Sequence, residues 1–439
     1  MPEMPGSTQR TQWLGEAMGR IWASPRIIDN FAALCACGGR FSGTESEARA
    51  RELLAGRVAD ATGRTVQRGR VHYRGWVRGP ARLILPDGRS LEAQGLVRTP
   101  GTPPQGLTAR LVDLGRGTPG DVESAQQRVR GAIVLVRHEF MMASGHVHRR
   151  KKYDAARAAG AAGLVIACHE PGGLAVTGSS GDGGLDHIPA IGISYEAGAA
   201  LATCAEQQVT LHTSGSFADS VAENLFAVIP GAGPRRVVLS AHYDGHDQAS
   251  SAIDNASGVV AAIAAAEALR DIVPGLPHGL ELAPFSVEEW ALIGSRNHLE
   301  TMDPGRRAEI AFNVNLDSVG GDAVLTAVTG GFPGIAAFIA RALRPAGLSV
   351  GLHHGFMANS DHANFVRHGI PALRLCAGFN KPDSHLRFLL TAADTPDKVH
   401  PHELKTAACV ATALALAACT DPDLPPPISP AEGCRLAGG

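Results

Sequence analysis

The sequence predicts an α/β protein: a mostly parallel sheet covered by helices, with a β-rich block inserted in it. Two observations carry this. From Asn224 onward, apolar runs of strand length alternate with longer alanine-rich or amphipathic runs of helix length. Such alternation builds parallel strands joined by crossover helices. Between about residues 78 and 215 the texture changes to glycine, proline and short β-runs. The expected division is therefore 1–77 with 216–439 as one discontinuous domain and 78–215 set inside it.

Taken in order, residues 1–24 read as a helical arm, and Ser24-Pro25 opens a second helix over 26–37. Thr44 and Glu47 have capping-box spacing and open a third helix, to about Ala61. Residues 65–73 alternate as a strand does. The block that follows holds β-runs at 81–85, 96–99 and 109–114, then buried strands at 131–136 and 163–168 around a helix at 149–159. A β-run at 188–194 and a short helix at 195–204 close it. Beyond Asn224, strands are expected at 237–241, 280–285, 311–316 and 372–376. Helices are expected at 259–269, 291–300, 334–343, 361–368 and 407–419, and the tail from Asp421 as an extended segment.

The chain has 439 residues, enough for two or three domains, and 44% are hydrophobic, so a large core can be buried. Forty basic residues against 42 acidic ones leave a formal charge of −2, which favours neither nucleic acid nor an anionic membrane as partner. The basic run Arg149-Arg150-Lys151-Lys152 reads as a solvated helix face. The N-terminus shows no apolar segment of signal type, and the apolar runs 256–266 and 407–419 are short and alanine-rich for a bilayer span. The eight cysteines form no zinc-ribbon pattern and read as free thiols, so a reducing, cytoplasmic location is expected. The sequence leaves the oligomeric state open, a homo-oligomer included.

The chemistry concentrates in 237–258, VVLSAHYDGHDQASSAIDNASG. A buried strand leads into His242 and Asp244, which lie two apart and so share a face at its carboxyl end. Open α/β sheets place their sites there. An imidazole that ligates a metal needs a partner on its other nitrogen, and Asp244 is placed to help supply it. Asp254 can reach back as an oxygen ligand. A lone H-x-D is ordinarily a polar turn, but two more strand ends finish in acid: Glu288-Glu289 after Phe285, and Asp317 after Asn315-Leu316. Adjacent buried carboxylates are costly unless a cation or protons compensate.

These residues resemble the M28 metallopeptidases. The matching motifs are H-Y-D at His242, I-D-N-A-S-G from Ile253, F-S-V-E-E from Phe285, N-L-D from Asn315, S-D-H from Ser360, G-I-P-A-L from Gly369 and D-T-P-D-K-V from Asp394. Within 78–215, G-A-A-G-L-V-I and I-P-A-I-G-I-S are similar to a protease-associated (PA) domain. The resemblance implies a three-layer α/β/α zinc-peptidase fold with an inserted PA domain, and two zinc ions, with manganese or cobalt able to use the same ligands. By motif position, His242 and Asp317 would hold one ion, Glu289 and a late histidine the other, and Asp254 would bridge. Glu288 would be the general base, and the Asp254-Asn255 peptide would be cis. The family's usual H-T-x-x-D-T spacing before Asp394 falls on Leu390 here. Pro382-Asp383-Ser384-His385 matches the family's P-D-x-H instead, which makes His385 the last ligand, followed by a short insertion over 386–390.

The implied function is hydrolysis of a peptide or amide bond, foremost by an aminopeptidase. A small non-peptide amide cleaved by the same machinery is the first alternative. A non-catalytic receptor-like module and acyl transfer of the glutaminyl-cyclase kind are the others. Arg374 and Arg387 are candidates for a substrate carboxylate or, equally, for surface ion pairs, and His353 or His354 for a pocket wall. His246 and Asp247 read as loop residues or as groups supporting the ligands from behind, with contact to substrate the alternative.

Overall fold

A computed structural model describes residues 7–181 and 187–438. The first six residues of the expected N-terminal arm lie outside the described ones. The chain forms two compact units: Met1–Val71, Val221–Leu386 and Asp394–Gly439 make the first, and His72–Ser220 with Arg387–Ala393 the second. These junctions lie a few residues from the expected 77/78 and 215/216. Two long strands, Gln67–Ile84 and Gln208–Ile229, run through them, so composition does not change where the contacts do. Segment 387–393 was expected in the first unit but belongs to the second. There, the Thr177 N–H donates to the Leu390 carbonyl at 2.8 Å, and Arg387 pairs with Glu170 at 3.0 Å.

The first unit is built on one sheet. From one edge its strands run Gly351–His353, Leu325–Val328, Ala372–Ala377, Ile310–Leu316, Arg236–His242, Gly279–Phe285 and the end of Gln208–Ile229. Four neighbouring pairs are parallel and two are antiparallel. Arg236–His242, Gly279–Phe285 and Ile310–Leu316 are buried from end to end, as strands covered on both faces must be. Helices Ser257–Leu269 and Pro401–Thr420 pack on each other and on Arg236–His242, while helix His362–Arg367 packs on Ala372–Ala377 and Ile310–Leu316. The result is the expected three-layer α/β/α arrangement. Its register sets His242 opposite Phe285 and Ser240 opposite Asn315, so the acids that follow these strands reach one rim.

The second unit has its own parallel strands, Leu107–Asp113, Ile133–Arg137, Gly163–Ala167 and Ala190–Ile193, with Gln94–Gly95 antiparallel at the end. Leu111, Ile133, Leu135, Val165, Ile191 and Ile193 form its core.

Several expectations change. The run 149–152 is not wholly solvated: Lys152 is 1% exposed, pairs with Glu139 at 2.6 Å and donates to the carbonyls of Arg116 and Arg137. Burial is affordable for that ammonium because all three of its donors are used. Thr44 caps its helix by accepting the Glu47 N–H, but the Glu47 carboxylate turns inward and accepts the Tyr243 hydroxyl at 2.7 Å. The tail ends in a helix, Pro430–Leu436. The stretches Ala252–Leu269 and Pro401–Thr420 are longer than the apolar runs suggested. Both are long and apolar enough by length and composition to cross a membrane, yet they are 83% and 78% buried inside the fold. All eight cysteines are free; Cys434 is exposed and Cys37 half-buried.

A buried ion pair closes the amino-terminal edge of the central strands. Arg236 Nε lies 2.5 Å from Glu281 Oε2, and His298 stands 3.5 Å from Glu281 Oε1. Burial pushes the Glu281 carboxyl up, but His298 and Arg236 outweigh it and hold it at about 2. A carboxyl depressed in the fold contributes stability that is fully present above its unfolded pKa and lost as pH falls through the folded one. Glu281→Gln removes the buried anion of Arg236 and leaves it only the more exposed Glu309 at 3.1 Å, which should cost about 3 kcal/mol at neutral pH. The difference from wild type in urea unfolding should shrink steadily as pH drops from about 4.5 toward about 2. A difference independent of pH over that window would refute the assignment.

Candidate metal centre

Strand Arg236–His242 ends on His242, and the chain turns through Tyr243 to Asp244, all fully buried. His242 Nδ1 lies 3.1 Å from the main-chain oxygen of Asp244. With Nδ1–H donated to that carbonyl, the Nε2 lone pair points outward. Nε2 faces Asp254 Oδ1 at 3.1 Å and Asp317 Oδ1 at 3.7 Å. The Asp244 carboxylate stands farther from the ring, at 3.6 Å, and is engaged elsewhere. Its Oδ1 accepts the Glu288 N–H at 3.1 Å, and its Oδ2 accepts the Glu289 N–H at 3.2 Å and the Ser42 hydroxyl at 3.1 Å. Asp244 orients the imidazole through its carbonyl, and its carboxylate pins the acidic turn.

Asp254 sits in the turn 252–256, and the Asp254–Asn255 peptide is cis, as the resemblance implied. Asp394 holds this turn by accepting the N–H groups of Ile253 at 2.7 Å and Asp254 at 3.2 Å. The Asn255 side chain donates to the Leu316 carbonyl and accepts the N–H groups of Gly258 and Ser318. That close approach requires glycine at 258, where a Cβ would stand 2.4 Å from the Leu316 oxygen.

Asp317 follows strand Ile310–Leu316. Ser360 donates its hydroxyl to Oδ2, and Arg374 Nη2 lies 3.1 Å from Oδ1. Against the upward push of burial, the Arg374 guanidinium and the His242 imidazole hold the Asp317 carboxyl well below the usual carboxylate range. Arg374, read from sequence as a substrate or surface group, is 2% exposed and serves Asp317. A buried relay, Ser240 to Asn315 to Ser360, extends behind it.

Among the described residues, one group of three has donor atoms all within 4.8 Å of one another: His242, Glu288 and Asp317. Burial pushes the Glu288 carboxyl well up, His242 opposing and Glu289 adding. Glu289 Oε2 lies 2.8 Å from His246 Nε2. His385 Nδ1 lies 2.7 Å from the Lys398 carbonyl, the same orienting contact that His242 makes. The structure thus brings His242, Asp254, Glu288 and Asp317 together, sets Glu289 beside His246, and gives His385 an oriented ring outside the compact group.

Sequence reasoning passed over Asp394, Arg374, Asp361 and His362 as parts of this centre. Asp361 and His362 are fully buried. Burial lifts Asp361 to about 7, with His242 opposing and Asp317 adding, and lowers His362 to about 3. The signal available was the S-D-H string itself, whose place against the acids no spacing reveals. His353 packs against Phe379 with ring centroids 4.5 Å apart and planes tilted by 38°, and His354 Nδ1 lies 3.3 Å from the Thr329 hydroxyl.

The donor set is imidazole and carboxylate without thiolate, which suits zinc and its neighbours. Buried polar atoms without hydrogen-bond partners cluster there too: both ring nitrogens of His246 and of His362, and Glu289 Oε1. Such atoms are rare in native folds and fit a site made for an ion. The residues present therefore fit a metal.

Residues 224–415 match the family model described as peptidase family M28, and residues 107–201 match the PA domain. The chain is 28% identical over 314 residues to a probable leucine aminopeptidase 2 of Arthroderma benhamiae, covering 67% of this chain and 60% of that protein. It is 30% identical over 239 residues to a probable lipoprotein aminopeptidase, LpqL, of Mycobacterium tuberculosis, covering 54% of this chain and 46% of that one. The chain thus spans about 60% of the length of the first of these curated relatives. A peptidase M28 precursor from Shewanella amazonensis shares the fold at a TM-score of 0.77 and 21% identity, over 96% of this chain and all of that one. BSAP, a zinc aminopeptidase from Bacillus subtilis, does so at 0.69 and 22%, over 88% and 93%. By these matches, residues 224–415 belong to peptidase family M28, and residues 107–201 form a PA domain set ahead of them in the chain.

Proposed function

We propose that this protein is a zinc-dependent aminopeptidase with two ions per chain. His242 and Asp317 would hold one ion, Glu289 and His385 the other, and Asp254 would contribute to both. The observation that carries the reading is the His242 ring. Its Nδ1 is held by the Asp244 carbonyl, so Nε2 is the atom set between two carboxylate oxygens, at 3.1 and 3.7 Å, where their charge favours a proton or a metal cation on it. When bound, zinc would supply a Lewis acid that polarises the scissile carbonyl and acidifies a water.

The chain's own residues do the rest. Glu288, at the end of a buried strand and in the same cluster as His242, takes the proton of the attacking water and delivers it to the leaving amine. Its raised proton affinity suits that shuttle. Asp244 keeps Glu288 and Glu289 at fixed spacing through their amides. Arg374 and Ser360 keep Asp317 ionised and still. The names of the relatives support an amino-terminal peptide as substrate. A small non-peptide amide is the second reading; it draws on the departure from the family's spacing after His385.

Metal content and activity on a panel of aminoacyl anilides and small aryl amides test both readings together. Glu288→Gln should keep wild-type metal and lose roughly 10²–10⁴-fold in kcat, as loss of a general base does; full activity would remove Glu288 from that role. His385→Ala should lose about one ion per chain in equilibrium dialysis followed by elemental analysis. Unchanged stoichiometry would move the last ligand elsewhere.

A further inference from the structure

The loop after His242 carries an imidazole that the family's ligand pattern does not use. His246 is 4% exposed, and its Nε2 stands 2.8 Å from Glu289 Oε2. At that distance a hydrogen bond would be expected, yet neither ring nitrogen of His246 makes one, and Glu289 Oε1 is also unpartnered. The two atoms are close but not aimed at each other. This is how two ligands of one cation stand. With metal–nitrogen and metal–oxygen bonds of about 2.0–2.2 Å and angles of about 90–110°, adjacent ligand atoms come about 2.8–3.6 Å apart.

The loop is built, not loose. The fully buried Arg40 guanidinium clamps it, donating to the carbonyls of Tyr243 at 2.8 Å and Ser251 at 2.7 Å and to that of Ser250. The His246 N–H donates to the Ser251 hydroxyl at 2.9 Å. Gly39 admits this approach: a Cβ there would meet the His246 carbonyl at 2.0 Å. A buried imidazole held this firmly beside a carboxylate, with both nitrogens unsatisfied, is costly unless something fills the space between them.

We infer that His246 is a ligand of the cation that Glu289 holds, so that this chain's second ion is bound through an imidazole four residues past His242. The inference rests on the two-ion reading above and adds a residue to it. His246 lacks the carbonyl contact on Nδ1 that fixes His242 and His385, so its ring is the least firmly oriented of the three.

The test uses the full chain and zinc alone. Wild type, His246→Ala and His246→Gln are stripped with a chelator, reloaded by dialysis against buffered free zinc, and analysed for metal per chain. Cobalt titrations followed by visible absorption report the ligand set directly. The expected result is two ions in wild type. In both variants the second ion should bind at least about tenfold more weakly, with a changed cobalt spectrum and the first ion unaffected. Matching circular dichroism of the metal-free proteins shows that each variant is folded; should the alanine variant not fold, the glutamine variant carries the measurement. Glutamine can hydrogen-bond to Glu289, so if His246 only positions that carboxylate, His246→Gln will bind the second ion as tightly as wild type. That result overturns the inference and leaves the two-ion reading intact. Wild type that binds no zinc would overturn both.

Discussion

The rest of this structure depends on the repulsion among buried carboxylates at one rim of a sheet. Asp244, Glu288, Glu289, Asp317 and Asp361 are each less than a tenth exposed, and Asp254 stands beside them. Removing several anions from water together is unfavourable, and the penalty falls on whichever is least compensated. Burial dominates, and it drives Glu288 up and Asp361 to about 7. Asp317 escapes because Arg374 and His242 answer it directly. The polypeptide's own groups thus answer Asp317 well and leave Glu288 and Asp361 short of positive charge. A rim built in this way is suited to holding a cation.

That electrostatic demand is matched by stiffness in the main chain. Each acid-bearing turn is held by a side chain from another segment. Asp244 accepts the amides of Glu288 and Glu289, Asp394 accepts those of Ile253 and Asp254, and Asn255 stitches the Asp254 turn to the end of strand Ile310–Leu316. Because each turn is anchored through another, the carboxylates cannot relax apart to relieve their repulsion. Preorganisation and repulsion are therefore the same feature seen from two sides.

Much of this was legible in the sequence. Buried parallel strands announce themselves as unbroken apolar runs, so Val237-Val238-Leu239 and Leu280 to Phe285 were readable, and acids just after them mark the rim. Gln208–Ile229 was not readable as one strand, because Ser214 to Ser220 is small, polar and largely exposed and carries no alternation. Strands Leu325–Val328 and Gly351–His353 were too short to separate from loops. In the site, His242, Asp254, Glu288, Glu289 and Asp317 came from motif and strand-end position. The part played by Arg374 was hidden, because a guanidinium inside an apolar strand pattern says nothing of the acid it will meet on the neighbouring strand.

The three histidines show why geometry adds what spacing cannot. His242 and His385 lie far apart in the chain yet share one device, a main-chain carbonyl about 3 Å from Nδ1 that leaves Nε2 facing outward. Nothing in either local sequence encodes that carbonyl: it comes from Asp244, two residues on, in one case and from Lys398, thirteen residues on, in the other. His246 lacks the device and shares with His242 alone its full burial beside a carboxylate. A polar loop in sequence, H-D-Q-A-S-S, becomes part of the centre only because Arg40, more than 200 residues earlier, folds it inward. The reach of the site is set by such long-range clamps, and motif strings record only the residues that the clamps deliver.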